Sequence, residues 1–217
     1  RCLIQIACSV ATAEGGSFTV TGNTADNGAP VFRFLSKNAA LDAFKVSNEG
    51  FTDNTLTTPD SIGIAQKGDK LVACDIINAD TGATYSTLAE AIAAAGAGET
   101  IKLCANATLD EAVTIDKNLT LDLGGKTLTT LPVTVSGTAV VTVKNGKIVN
   151  KGTTNTIFNV NDSAELTIEG VDIESVVAVV KNASNGGSRT NGRSVINYTS
   201  KGALNVIDST IIGKINL

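Results

Sequence analysis

Residues 119–148 read LTLDLGGKTLTTLPVTVSGTAVVTVKNGKI, and within them an apolar, polar, apolar unit recurs as Leu119-Thr120-Leu121, Val133-Thr134-Val135 and Val141-Thr142-Val143. Each unit is a strand fragment, because side chains alternate across a strand and its two apolar residues share one face. Working outward, the same unit returns as Ile101-Lys102-Leu103, Leu166-Thr167-Ile168 and Leu204-Asn205-Val206. The starts at Ile101, Leu119, Val141, Leu166 and Leu204 are offset by 18, 22, 25 and 38 residues. Offsets of that order, with elastic inserts, predict a chain that coils and stacks each turn on the last.

Every turn carries further apolar elements. Thr127-Leu128, Lys147-Ile148, Asp172-Ile173 and Thr210-Ile211 follow the triplets. Val113-Thr114-Ile115, Val133-Thr134-Val135, Phe158-Asn159-Val160 and Ile196-Asn197-Tyr198 lead into the next ones. Gly, Asn and Asp sit at the corners between them, as tight turns require. Three strands per turn predict a right-handed parallel β-helix. The composition agrees: aromatics are 4%, Trp, Met and His are absent, and small or β-branched residues recur.

A helix is predicted over about 87–95, just before the first rung. Thr87 is its N-cap with Glu90 at capping-box spacing, Leu88 and Ile92 form its apolar stripe, and Gly96 stops it. There it would cover strand edges otherwise open to aggregation. Residues 1–76 are predicted to form a small β-rich anchoring domain, with strands at Leu3–Ser9, Ser17–Thr21, Val31–Leu35 and Leu71–Asp75 and a short helix at Asn38–Phe44. Asn48 to Gly63 is predicted as a loop, residues 77–83 as a linker, and 84–217 as the β-helix domain. Cys2 to Val10 followed by Ala11-Thr12-Ala13 imitates a signal peptide, but Gln5 interrupts a short apolar region, and a first strand is expected instead.

The run from Tyr85 to Ile92, then Gly98 to Leu103, then Val113 to Leu128, resembles the opening of pectin-lyase-like right-handed β-helix domains, which occur in bacterial surface proteins and in phage fibres and tailspikes. The resemblance covers about residues 84–217 and implies a fold; members of such families include lyases, hydrolases, adhesins and passive fibres. The resemblance does not extend to residues 1–76.

Composition narrows the chemistry. A net charge of −4 and a pI near 4.9 argue against nucleic-acid binding, which needs clustered Lys and Arg. No run of about 18 apolar residues exists to span a membrane. Cys2, Cys8, Cys74 and Cys104 show no Cys-x-x-Cys and there is no His, so zinc is not expected; buried thiols are favoured over disulfides. That expectation favours assembly in a reducing compartment.

The residues following the triplets, Cys104, Asp122, Lys144, Glu169 and Ile207, are expected to stack as an outer column in which Asp122, Lys144 and Glu169 alternate in sign. Such a column aids stacking and solubility more readily than acid–base work. Glu165, Glu169, Asp172 and Glu174 form a denser acidic patch, and Glu169, Asp172 and Glu174 are weak calcium candidates against a solvated face. The longest insert, 175–194, carries Asn182, Asn185 and Asn191 with Arg189 and Arg193, two of the four arginines, and is the candidate ligand- or partner-binding site. Carbohydrate subsites use aromatic platforms, yet Tyr85 and Tyr198 are the only tyrosines and Trp is absent. The five Asn-x-Ser/Thr sequons, at Asn106, Asn118, Asn161, Asn182 and Asn197, are expected by chance in so Thr- and Asn-rich a chain.

No catalytic residue and no cofactor is expected. The leading expectation is a non-catalytic fibre or capsid decoration protein on a phage virion surface. Residues 1–76 would dock on capsid or other virion proteins, and the chain would form a homo-oligomer, a trimer by analogy with threefold fibres. A bacterial cell-surface adhesin, binding a host glycan or protein through the insert, is the alternative; a polysaccharide lyase or hydrolase ranks third.

Overall fold

A computed structural model describes the backbone at residues 4–6, 32–34, 56–57, 64–67 and 70–73, and the chain in full over 74–151, 156–174 and 194–217. The described residues are mostly strand, with one short helix. In the N-terminal part β1 (Ile4–Ile6), β2 (Phe32–Phe34) and β3 (Leu56–Thr57) pair in parallel, and β4 (Ile64–Lys67) pairs antiparallel with β5 (Lys70–Ala73). Strands predicted at Leu3–Ser9, Val31–Leu35 and Leu71–Asp75 overlap β1, β2 and β5. β3 lies within the stretch predicted as a loop, where Leu56 stands between two β-branched threonines. The predicted strand Ser17–Thr21 and helix Asn38–Phe44 lie outside the described residues.

Ile76-Ile77-Asn78, at the predicted domain boundary and linker, forms strand β6 (Ile76–Asn78), buried throughout. It turns back through a tight hairpin to β7 (Thr84–Tyr85), with Asn78 Oδ1 accepting from the Asp80 and Thr81 N–H groups at 3.1 and 3.2 Å. β6 also lies antiparallel on β8 (Thr100–Leu103), Ile76 opposite Leu103. Helix α1 (Leu88–Ala94) follows, with both halves of the Thr87/Glu90 capping box formed and Leu88, Ala91 and Ile92 buried. It packs on β6, β7 and β9 (Ala107–Leu109). Lys117 Nζ donates to the Ala93 and Ala95 carbonyls at its C-terminus, where a cation opposes the helix dipole.

Among the described residues, the strands from β8 onward pair with one another in parallel, in three rows. The first row runs β8, β11 (Leu119–Asp122), the first half of β14 (Val140–Asn150), the first half of β16 (Glu165–Glu174) and β18 (Leu204–Ile207). The second runs β9, β12 (Thr127–Thr130), the second halves of β14 and β16, and β19 (Thr210–Ile212). The third runs β10 (Val113–Ile115), β13 (Val133–Val135), β15 (Phe158–Val160), β17 (Ile196–Tyr198) and β20 (Ile215–Asn216).

Apolar columns on the inner faces of these rows make one core. Ile101, Leu121, Val143 and Ile168 align in the first row, Leu128, Ile148 and Ile173 in the second, and Ile115, Val135, Val160 and Tyr198 in the third, all buried. Polar columns face outward. Asn197 Nδ2 donates to Asn159 Oδ1 and Asn216 Nδ2 to Asn197 Oδ1, at 3.4 and 3.0 Å, so identical amides link successive strands.

The corner between the first and second rows needs one residue in the left-handed region. Asn145 (φ 60°), Gly170 (φ 60°) and Asp208 (φ 47°) occupy it in successive strands, each next to the register partners Lys144, Glu169 and Ile207. Glycine lacks the Cβ that opposes this conformation, and Asn and Asp tolerate it best among the others.

The first rung is shifted from its expected register. Leu121 pairs with Ile101, not with Leu103, so Asp122 faces Lys102. The outer column is therefore Lys102, Asp122, Lys144, Glu169 and Ile207, and Cys104 is not part of it. A slip of two residues preserves the alternation of faces, so periodicity alone does not detect it.

Candidate functional site

Among the connections that pass from the second row to the third at one corner are those after Thr130, after Asn150 and after Glu174. The strand ending KIVN places Ile148 inward, Val149 outward and Asn150 inward again, opposite Thr130. Thr130 is fully buried and Asn150 is 2% exposed. Thr130 Oγ1 donates to the Leu131 carbonyl at 2.6 Å, and Asn150 Nδ2 to the Thr156 carbonyl at 3.0 Å. Asn150 Oδ1 has no hydrogen-bond partner, alone among the buried side-chain polar atoms of the described residues. An orphaned buried carbonyl costs about 1–3 kcal/mol.

One charged pair lies along the outer face of the second row and another at this corner. Lys147, on the outer face of β14, bonds Glu174 Oε2 at 2.7 Å and lies beside Asp172 in register. Lys151 pairs with Asp110, joining the ends of two connections. The Lys147 amine is raised above its ordinary value by the hydrogen bond it donates to Glu174 and by that carboxylate's charge, with a smaller contribution from Asp172 against the opposing effect of desolvation. A raised folded-state value means the pair's contribution is present below the ordinary Lys range and is lost as pH climbs through the folded-state value. Glu174→Gln should lower the Lys147 titration midpoint toward its ordinary value, read by NMR of the 15N-labelled amine; an unchanged midpoint would refute the pairing.

Glu169, Asp172 and Glu174 lie along β16, with the Gly170 turn separating the first from the other two and Glu174 held by Lys147. Among the described residues no group of three or more His, Cys, Asp or Glu is placed to hold a metal ion. Glu165 starts the same strand, opposite Val140. Asn182, Asn185, Arg189, Asn191 and Arg193 lie outside the described residues; their segment leaves after Glu174 and rejoins at Ser194. The ion-paired residues Lys147, Lys151 and Asp110 and the buried Asn150 were not singled out by the sequence. Asn150 had a readable signal, a polar residue at an inward position of a strand. The ion pairs join residues up to 41 apart and had none.

No helix of the described residues is long and apolar enough to cross a membrane. No protein-family model, curated protein or solved structure matches the chain.

Proposed function

We propose that residues 84–217 form a right-handed parallel β-helix of the pectin-lyase-like kind, and that the chain is a non-catalytic fibre or capsid decoration protein of a phage virion. In this reading residues 1–76 dock on other virion proteins, and the rows project from the surface in a homo-oligomer. The observation that carries it is the parallel register held through five strands in each of three rows. Continuous backbone ladders over a single apolar core resist bending, which is what a projecting element needs.

A second reading, a bacterial surface adhesin, draws on the corner just described. The insert departs from this corner after Glu174, next to the Lys147–Glu174 pair, and its two arginines suit recognition of a charged partner. Mass spectrometry of the native particle or cell fraction containing the protein separates the two. Recovery with capsid proteins is the expected result. Recovery with envelope proteins, with glycan-array binding lost in Arg189→Ala and Arg193→Ala, would replace the virion reading by the adhesin. Glycan cleavage by the purified chain would overturn both.

A further inference from the structure

Two thiols meet where the lead-in strands join the first row. Cys74 follows β5 and Cys104 follows β8. The antiparallel pairing of Ile76 with Leu103, and the Cys104 N–H donated to the Asp75 carbonyl at 2.8 Å, draw the two backbones together. Cys74 Sγ then donates to Cys104 Sγ at 3.5 Å. Both side chains are buried, 8% and 7% exposed, in a small cluster with Ile77 that is separate from the main core. A disulfide bond is about 2.05 Å long, so each sulfur needs to travel less than about 1 Å. The Cys104 thiol is held below its ordinary value, chiefly by the Cys74 hydrogen bond and then by Lys102 and Lys126, against burial and Asp75.

We propose that Cys74 and Cys104 are a disulfide-forming site that clamps the lead-in strands to the first row. The oxidant is a small-molecule disulfide. The Cys104 thiolate attacks one of its sulfurs, forming a mixed disulfide and releasing one thiolate. Cys74, giving up its proton, attacks the Cys104 sulfur; the Cys74–Cys104 bond forms and the second small thiolate leaves. The pair loses two electrons and two protons, and the reagent gains them as two thiols. The bond closes a loop of 30 residues holding β6, β7, α1 and β8, which restricts the unfolded chain most at the end where the rows begin.

The test is to incubate the full chain with oxidised glutathione, block remaining thiols with iodoacetamide, and map the peptides. The expected result is a Cys74–Cys104 linked peptide, a mass lower by about 2 Da before blocking, and a melting temperature raised by roughly 5–10 °C. Cys74→Ser and Cys104→Ser should each abolish the link and the shift; the peptide map of the unaltered chain stands even if either variant fails to fold. Alkylation of both thiols after oxidation would overturn the proposal. So would a link from either one to Cys2 or Cys8, a persistent glutathione adduct, or a link without the thermal shift.

Discussion

Ile168→Ala lowers the unfolding free energy of the full chain by about 2–5 kcal/mol, read as a lower urea midpoint. Ile168 is fully buried, between Val143 and Val206 in the first row. Removing its outer carbons leaves a void bounded by two strands whose backbones are fixed by ladder hydrogen bonds, so the site collapses little. Thr167→Ala, one residue along, changes stability by less than about 0.5 kcal/mol, because Thr167 faces outward and its hydroxyl only accepts from Asn205 at 3.2 Å. Since each rung rests on its neighbours, amide exchange should quicken most in β14, β16 and β18 and least in β8. Equal effects of the two substitutions would contradict the assignment of faces.

Gly146→Ala should cost about 1–3 kcal/mol by overpacking. An added Cβ would lie 2.6 Å from Leu123 Cβ and 2.6 Å from the Lys126 carbonyl oxygen. The second of these is backbone, and it already accepts the Lys147 N–H at 3.0 Å. The methyl therefore pushes apart two rungs at the corner between the first and second rows. Gly125 separates sterics from conformation: a Cβ there meets nothing within 4 Å, and only its φ of +76° opposes substitution. Gly125→Asn should be nearly neutral, because Asn tolerates the left-handed region. Urea unfolding of both variants decides it; a neutral Gly146→Ala would mean that the rungs at this corner are not in contact.

Much of the architecture was legible from residue 84 on, because three kinds of local signal agree there. The triplets fix which residues face inward, the Thr87/Glu90 box fixes the helix start, and Gly, Asn and Asp mark the corners. The first rung shows where pattern runs out. Ile101 and Leu103 are both apolar and inward, so either satisfies the alternation, and the pairing with β6 and β11 decides between them. That two-residue difference moves Cys104 out of the charge column and Lys102 into it. The Ile76–Asn78 strand was hidden for a related reason: its buried face is completed by β8, 25 residues on, and nothing local announces the partner. The candidate corner was legible only as an insert of unusual length. Its ion pairs are made by stacking, which brings Lys147 beside Glu174 without any sequence proximity.

The three corners differ in how much chain they accept. From the first row to the second, Asp122 to Thr127 is five residues, and Lys144 to Lys147, Glu169 to Asp172 and Ile207 to Thr210 are each three. From the third row to the first, Ile115 to Leu119 is four, and Val135 to Val141, Val160 to Leu166 and Tyr198 to Leu204 are each six. From the second to the third, Thr129 to Val133, Val149 to Phe158, Glu174 to Ile196 and Ile212 to Ile215 span four, nine, twenty-two and three. Loop closure grows costlier only slowly with length, while the ladders hold the register on both sides. This one corner is thus a graft point, where a foreign peptide can be spliced in and displayed on a fixed mount.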